Sequence, residues 1–85
     1  MRYQVTLGKT AKRDLRRLDN VWQKRVVSRL QQLIDTPRPT GVAKLRGTDN
    51  EWRLRIGDYR LIYEIDDEQH IVNVLHIRHR REVYR

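Results

Sequence analysis

The sequence predicts an α+β domain in which an N-terminal strand precedes a two-helix antiparallel hairpin, packed on one face of an antiparallel sheet that ends in a three-strand meander. Three observations predict it. Apolar residues recur at helical spacing from about Thr10 to Ile34, and the period changes to two after Glu51. The alternating segments are joined by turns as short as Gly57-Asp58 and Asp66-Asp67-Glu68, which suit antiparallel neighbours. At 85 residues the chain makes one domain, 1–85, close to the smallest size at which an unstapled core holds a fold together.

Each element can be justified in order. Tyr3 to Leu7 alternates as YQVTL, with Tyr3, Val5 and Leu7 on one face, and Gly8 ends this strand. Thr10 suits the N-cap of a first helix in which Ala11, Leu15 and Leu18 share a stripe while Lys12, Arg13, Arg16 and Arg17 face water. Asn20 suits the N-cap of a second. There Val26, Leu30, Leu33 and Ile34 form the buried stripe, with Trp22 and Val27 at its margins, before Pro37 and Pro39 close it. Residues 36–50 lack periodicity and read as a loop.

Residues 52–56, WRLRI, put Trp52, Leu54 and Ile56 on one face and Arg53 and Arg55 on the other. YRLIYEI, 59–65, puts Tyr59, Leu61 and Tyr63 inward and Arg60 outward, and HIVNVLHIR, 70–78, completes the meander. Two helices cover only one face of such a sheet. The other face is open, and it carries Arg53, Arg55 and Arg60, with Arg78 and the basic residues after it leaving the sheet close by.

Composition narrows the function. Nineteen Lys and Arg against eleven Asp and Glu leave a net charge of +8, the footprint of a protein that meets a polyanion. Guanidinium groups converging on one concavity repel one another unless an anion sits among them, and phosphate fits their fork geometry. Cysteine is absent, which removes disulfides and thiolate zinc sites and suits a reducing cytoplasm. No run approaches membrane-spanning length, so neither a membrane partner nor processing is expected. His76 and His79 stand three apart, but on a strand they face opposite sides, so no metal or other cofactor is expected.

KLRG at 44–47, WRLRIGDYRLIY at 52–63 and HRREVYR at 79–85, in this order behind a strand and a helical hairpin, resemble the RelE/ParE superfamily of type II toxin–antitoxin toxins. The resemblance spans nearly the whole chain. It implies a toxin that cleaves mRNA in the ribosomal A site, held inactive by a cognate RelB-like antitoxin that wraps it. A ternary complex on operator DNA would then act through the antitoxin. The ParE branch instead inhibits DNA gyrase and cleaves no RNA.

Carried over by position, the paired basic residues of the RelE strand fall on Arg53 and Arg55, where RelE toxins have lysines. The arginine that stabilises the transition state falls on Arg60, the arginine that assists the leaving oxygen on Arg78, and the stacking tyrosine on Tyr84. Arginine, with a pKa above about 12, is a poor general base. His79 or a nearby group is the substitute, with His76 behind it, because an ordinary histidine titrates near ~6.5. Lys44, Arg46, Arg80 and Arg81 complete the candidate RNA-binding set, although Lys44 and Arg46 also fit a plain flanking of a turn at Gly47.

Simpler roles suit other residues. His70 reads as an exposed turn residue, Trp22 and Trp52 as core or core margin, and the basic stripe of the first helix as a solvated face. Three functional readings stand: a ribosome-dependent endoribonuclease, favoured by Arg60, Arg78, His79 and Tyr84 arriving at one sheet edge; a gyrase inhibitor on the same fold; and a repressor domain that binds DNA by itself.

Overall fold

Eight elements follow one another in the computed structural model, which describes residues 2–45, 47 and 50–83. They are β1 (Gln4–Leu7), α1 (Lys9–Arg17), α2 (Asn20–Asp35), β2 (Ala43–Lys44), β3 (Glu51–Ile56), β4 (Tyr59–Asp66), β5 (Ile71–His79) and α3 (Arg80–Val83). The strands form one five-stranded sheet in the order β1-β5-β4-β3-β2. β1 runs parallel to β5, and every other pairing is antiparallel. No helix among the described residues is long and apolar enough to cross a membrane.

The helix starts differ from the expected ones by a residue or two. Gly8, not Thr10, precedes the first turn of α1, and no side chain caps that helix. Asp19, not Asn20, caps α2, its carboxylate accepting from the Trp22 amide at 2.9 Å. Both Asp and Asn satisfy an orphan amide equally well, so composition could not choose between neighbours. The segment read as a loop holds the short edge strand β2, in which Ala43 and Lys44 pair with Arg53 and Trp52. Two residues are too few to register as alternation.

One apolar layer holds the domain together. Ala11 from α1 and Val26, Leu30 and Leu33 from α2 pack on Leu54, Ile56, Leu61, Tyr63, Ile65, Val72, Val74 and Ile77 of the sheet. Tyr63 is fully buried and its hydroxyl donates to the Pro37 carbonyl at 2.8 Å. Burial pushes that phenol up to about 12. Gly57, at φ 58°, opens the two-residue turn between β3 and β4 and lies against the Trp22 ring.

A register shift shapes β5. Ile62 pairs with His76 but Tyr63 pairs with Val74, so Leu75 is an extra residue, a β-bulge. Beyond Val74 the pairing with β1 has ended, and α1 takes over that edge. The Gly8 amide donates to the Val74 carbonyl at 2.8 Å, and Asp14 accepts from the Ile77 amide at 3.0 Å. A free strand edge is thereby covered.

The far end of the sheet is tied by charge. Asp67 accepts from the Tyr3 hydroxyl at 2.7 Å and from both terminal nitrogens of Arg38, at 3.1 and 2.8 Å, while the Arg38 guanidinium lies 4.9 Å from the Trp52 ring centre. His70, expected at an exposed turn, is half-buried in a left-handed conformation with its ring edge-on to Tyr3 at 5.1 Å. The hydrogen bonds from Arg38 and then Tyr3 hold the Asp67 carboxyl down at about 2, from 3.8. A carboxyl depressed by folding stabilises the fold above its unfolded pKa and loses that contribution as the pH falls through the folded value. Melting temperature is therefore expected to drop as wild type is acidified from about pH 4 to about pH 2, with a shallower drop in Asp67→Asn. Equal slopes in the two proteins would remove the network from the account.

Candidate active site

Strand alternation and register assemble the open face in rows. Arg55 on β3 pairs with Arg60 on β4, and Arg60 pairs with Arg78 on β5, so three arginines stand abreast on adjacent strands. Adjacent strands lie about 4.8 Å apart, so these guanidinium stems rise side by side. The next row holds Arg53, Ile62 and His76. Beyond it lie Glu51, Glu64, Asn73 and Thr6, joined through Thr6 to Asn73 at 3.0 Å and Asn73 to Glu64 at 3.2 Å. The face is thus basic at the end near Gly57 and polar to acidic at the other.

Burial differs along the arginine row. Arg60 is 9% exposed at its centre, Arg78 is half-buried and Arg55 is exposed. Arg55 is turned toward the β3–β4 turn, where its Nε donates to the Gly57 carbonyl at 3.1 Å. Arg78 reaches along its own strand, with Nη2 3.3 Å from Nδ1 of His76. Like charges directly opposite one another on neighbouring strands are destabilising, and an anion bridging them relieves the repulsion. The row can grip a phosphate through several charge-assisted hydrogen bonds.

The structure brings Arg53, Arg55, Arg60 and Arg78 to one face and sends two other expected members elsewhere. His79 was expected beside Arg78 as the chain left the sheet. Instead β5 continues through His79, which pairs with Tyr59, and strand alternation turns its ring to the helix side. There it meets Tyr59 edge-on at 5.2 Å, accepts from the Arg81 amide at 3.3 Å and lines a pocket of about 500 Å³ with Asp58, Arg80 and Arg81. Lys44 is opposite Trp52, not Arg53, so it too lies on the helix side, its ammonium 6.0 Å from the Trp52 ring centre.

Arg80 and Arg81 are exposed on α3, whose first amide donates to the Asp58 carbonyl at 2.7 Å. Tyr84 and Arg46 lie outside the described residues. Lys12, Arg13, Arg16 and Arg17 are exposed on α1, as expected of a solvated stripe. The residue ranked behind His79, His76, is the histidine on the arginine face. Counting parity back from Arg78 along an unbroken strand finds it, and the bulge at Leu75 comes too early to interfere.

The comparisons with known proteins concern the family and the fold. Residues 5–84 match the family of ParE toxins of type II toxin–antitoxin systems. The chain is 34% identical over 84 residues to Toxin RelE of Mycobacterium tuberculosis, covering 98% of this chain and 87% of that protein. It is 31% identical over 88 residues to the mRNA interferase toxin RelE of Escherichia coli K12, covering 99% and 92%. Its fold superposes with a TM-score of 0.84 on a chain of the crystal structure of the toxin–antitoxin complex RelBE2 from M. tuberculosis, at 33% identity over 93% of this chain and 99% of that one. The chain therefore belongs to the ParE toxin family of type II toxin–antitoxin systems and, within the RelE/ParE superfamily, lies near the RelE branch.

Proposed function

We propose that this toxin is a ribosome-dependent endoribonuclease that cuts mRNA in the A site and is neutralised by a RelB-like antitoxin. The observation that carries the reading is the Arg55–Arg60–Arg78 row, with Arg60 only 9% exposed at its centre. A relative named an mRNA interferase supports it, as does a fold shared with a chain of a toxin–antitoxin complex. The chemistry is attack of the 2′-oxygen on phosphorus with loss of the 5′-oxygen, water taking the proton of the 2′-hydroxyl and supplying one to the departing oxygen, so that a cyclic phosphate and a free 5′-hydroxyl remain. The intermediate phosphorane gathers negative charge on its equatorial oxygens, where preorganised donors in a water-poor site act most strongly. Arg60 supplies that charge, Arg53 and Arg55 hold the backbone, Arg78 stabilises the departing oxygen, and Tyr84 stacks on a base.

A guanidinium is a donor only and a poor general base, so that role is assigned to none of the arginines. His79, on the other side of the sheet, is not assigned that role. An acidic and apolar antitoxin segment complements a face that is positive and partly apolar.

The test is purified ribosomes programmed with an mRNA whose A site is empty, incubated with wild type or Arg78→Ala and mapped for new 5′ ends. Cuts in the A-site codon that require ribosomes and disappear in the variant are expected. A second reading follows from the matched family, whose name is that of the ParE toxins. Intact mRNA together with inhibited gyrase supercoiling in a parallel reaction would replace the nuclease by a gyrase inhibitor.

A further inference from the structure

We propose that His76 is a positioning residue: a neutral imidazole that holds the Arg78 guanidinium for phosphate, a role that rests on the nuclease reading above. The two side chains lie two residues apart on β5 and so share its open face, with Arg78 Nη2 3.3 Å from His76 Nδ1. A guanidinium only donates. Nδ1 must therefore be the acceptor, and the imidazole proton sits on Nε2. The one lone pair of the neutral ring is engaged with Arg78, which makes His76 an orienting group and not the base.

Such a group is needed here because Arg78 is directly opposite Arg60. Two guanidinium groups in register repel, and a long side chain answers by splaying into solvent. The bond to His76 draws Arg78 along its own strand instead. It uses one of five N–H donors and leaves the rest for an anion. The ring is opposite Ile62, itself only 9% exposed, so an apolar neighbour limits its swing.

The charged groups around His76 are Arg78 on its own strand, Arg60 and Glu64 on β4, Arg53 and Arg55 on β3, and Asp14 of α1, which bonds the neighbouring Ile77 amide.

The test uses the ribosome cleavage assay with wild type, Arg78→Ala, His76→Ala and His76→Gln. His76→Ala is expected to lower kcat about tenfold or more with KM little changed, since the lost bond aligns a charge used in the transition state. His76→Gln keeps an acceptor oxygen and is expected to recover most of that loss.

Melting curves of His76→Gln and His76→Ala near that of wild type would establish that both fold. Two results overturn the inference while leaving the nuclease reading standing, provided Arg78→Ala is inactive. These are wild-type cleavage by His76→Ala and equal slowness of the alanine and glutamine variants. Intact mRNA with wild type would bring down the nuclease reading and this role with it.

Discussion

Arg60→Ala is expected to lower A-site cleavage by about 10²–10³-fold, the size of loss that follows removal of one preorganised transition-state donor. Arg60 occupies the centre of the row, paired on one side with Arg55 and on the other with Arg78, at 9% exposure. A charge so placed has been largely stripped of water, which strengthens its interaction with a developing phosphorane charge. The variant is expected to fold, with a melting temperature within a few degrees of wild type, and to bind the antitoxin.

Arg60→Lys separates charge from geometry. It keeps a cation but loses the planar fork, so cleavage intermediate between wild type and alanine is expected. Wild-type cleavage by a folded Arg60→Ala would show that the row does not bind the reacting phosphate. Loss of cleavage together with loss of fold would instead make Arg60 a structural residue.

The second large effect is on stability. A Cβ built on Gly57 would lie 2.5 Å from Cη2 and 2.8 Å from Cζ3 of Trp22, and the residue has φ 58°. Gly57→Ala therefore meets two penalties, about 1–2 kcal/mol for the left-handed backbone and about 1–3 kcal/mol for overpacking. The Trp22 ring has little room to yield, being tilted against Tyr59 at 4.9 Å with the Arg25 guanidinium 5.0 Å from its centre. A domain of this size loses roughly 4–8 °C in melting temperature per kcal/mol.

Denaturation of Gly57→Ala in wild-type and Trp22→Ala backgrounds divides the two penalties. In the Trp22→Ala background only the backbone penalty is expected to remain. An equal loss in both would mean that Trp22 is not the obstacle. Because Gly57 opens the turn between Arg55 and Arg60, cleavage by the variant is expected to fall as well, through displacement of the arginine row.

Much of this molecule is legible in its sequence. The helical hairpin and the meander follow from a change of period, since 3.6-residue and two-residue repeats bury different faces. Trp52, Leu54 and Ile56 do point inward with Arg53 and Arg55 outward, because alternation in a single strand needs no partner to define it. Where the reading missed, the cause is local. Asp19 and Asn20 are equivalent caps to a composition-based argument. β2 is two residues long and shows no period of its own. The face on which Lys44 lies appears only through pairing with β3, which sets it opposite Trp52.

His79 and His76 exchanged places for a similar reason. Their opposite facing was clear from the spacing. Which of them shared a face with Arg60 depended on β5 continuing to His79 and on Arg60 pairing with Arg78. Alternation along one strand is a covalent matter and is written in the sequence. Register between strands is decided by the packing of the whole sheet, with its bulge at Leu75 and its edge covered by α1. By itself the sequence determined the α+β architecture, the core and a surplus of arginine on an uncovered face. The tertiary structure alone decided that Arg55, Arg60 and Arg78 stand in one row and that His76 bonds the last of them, because side chains from separate strands meet only once register is set.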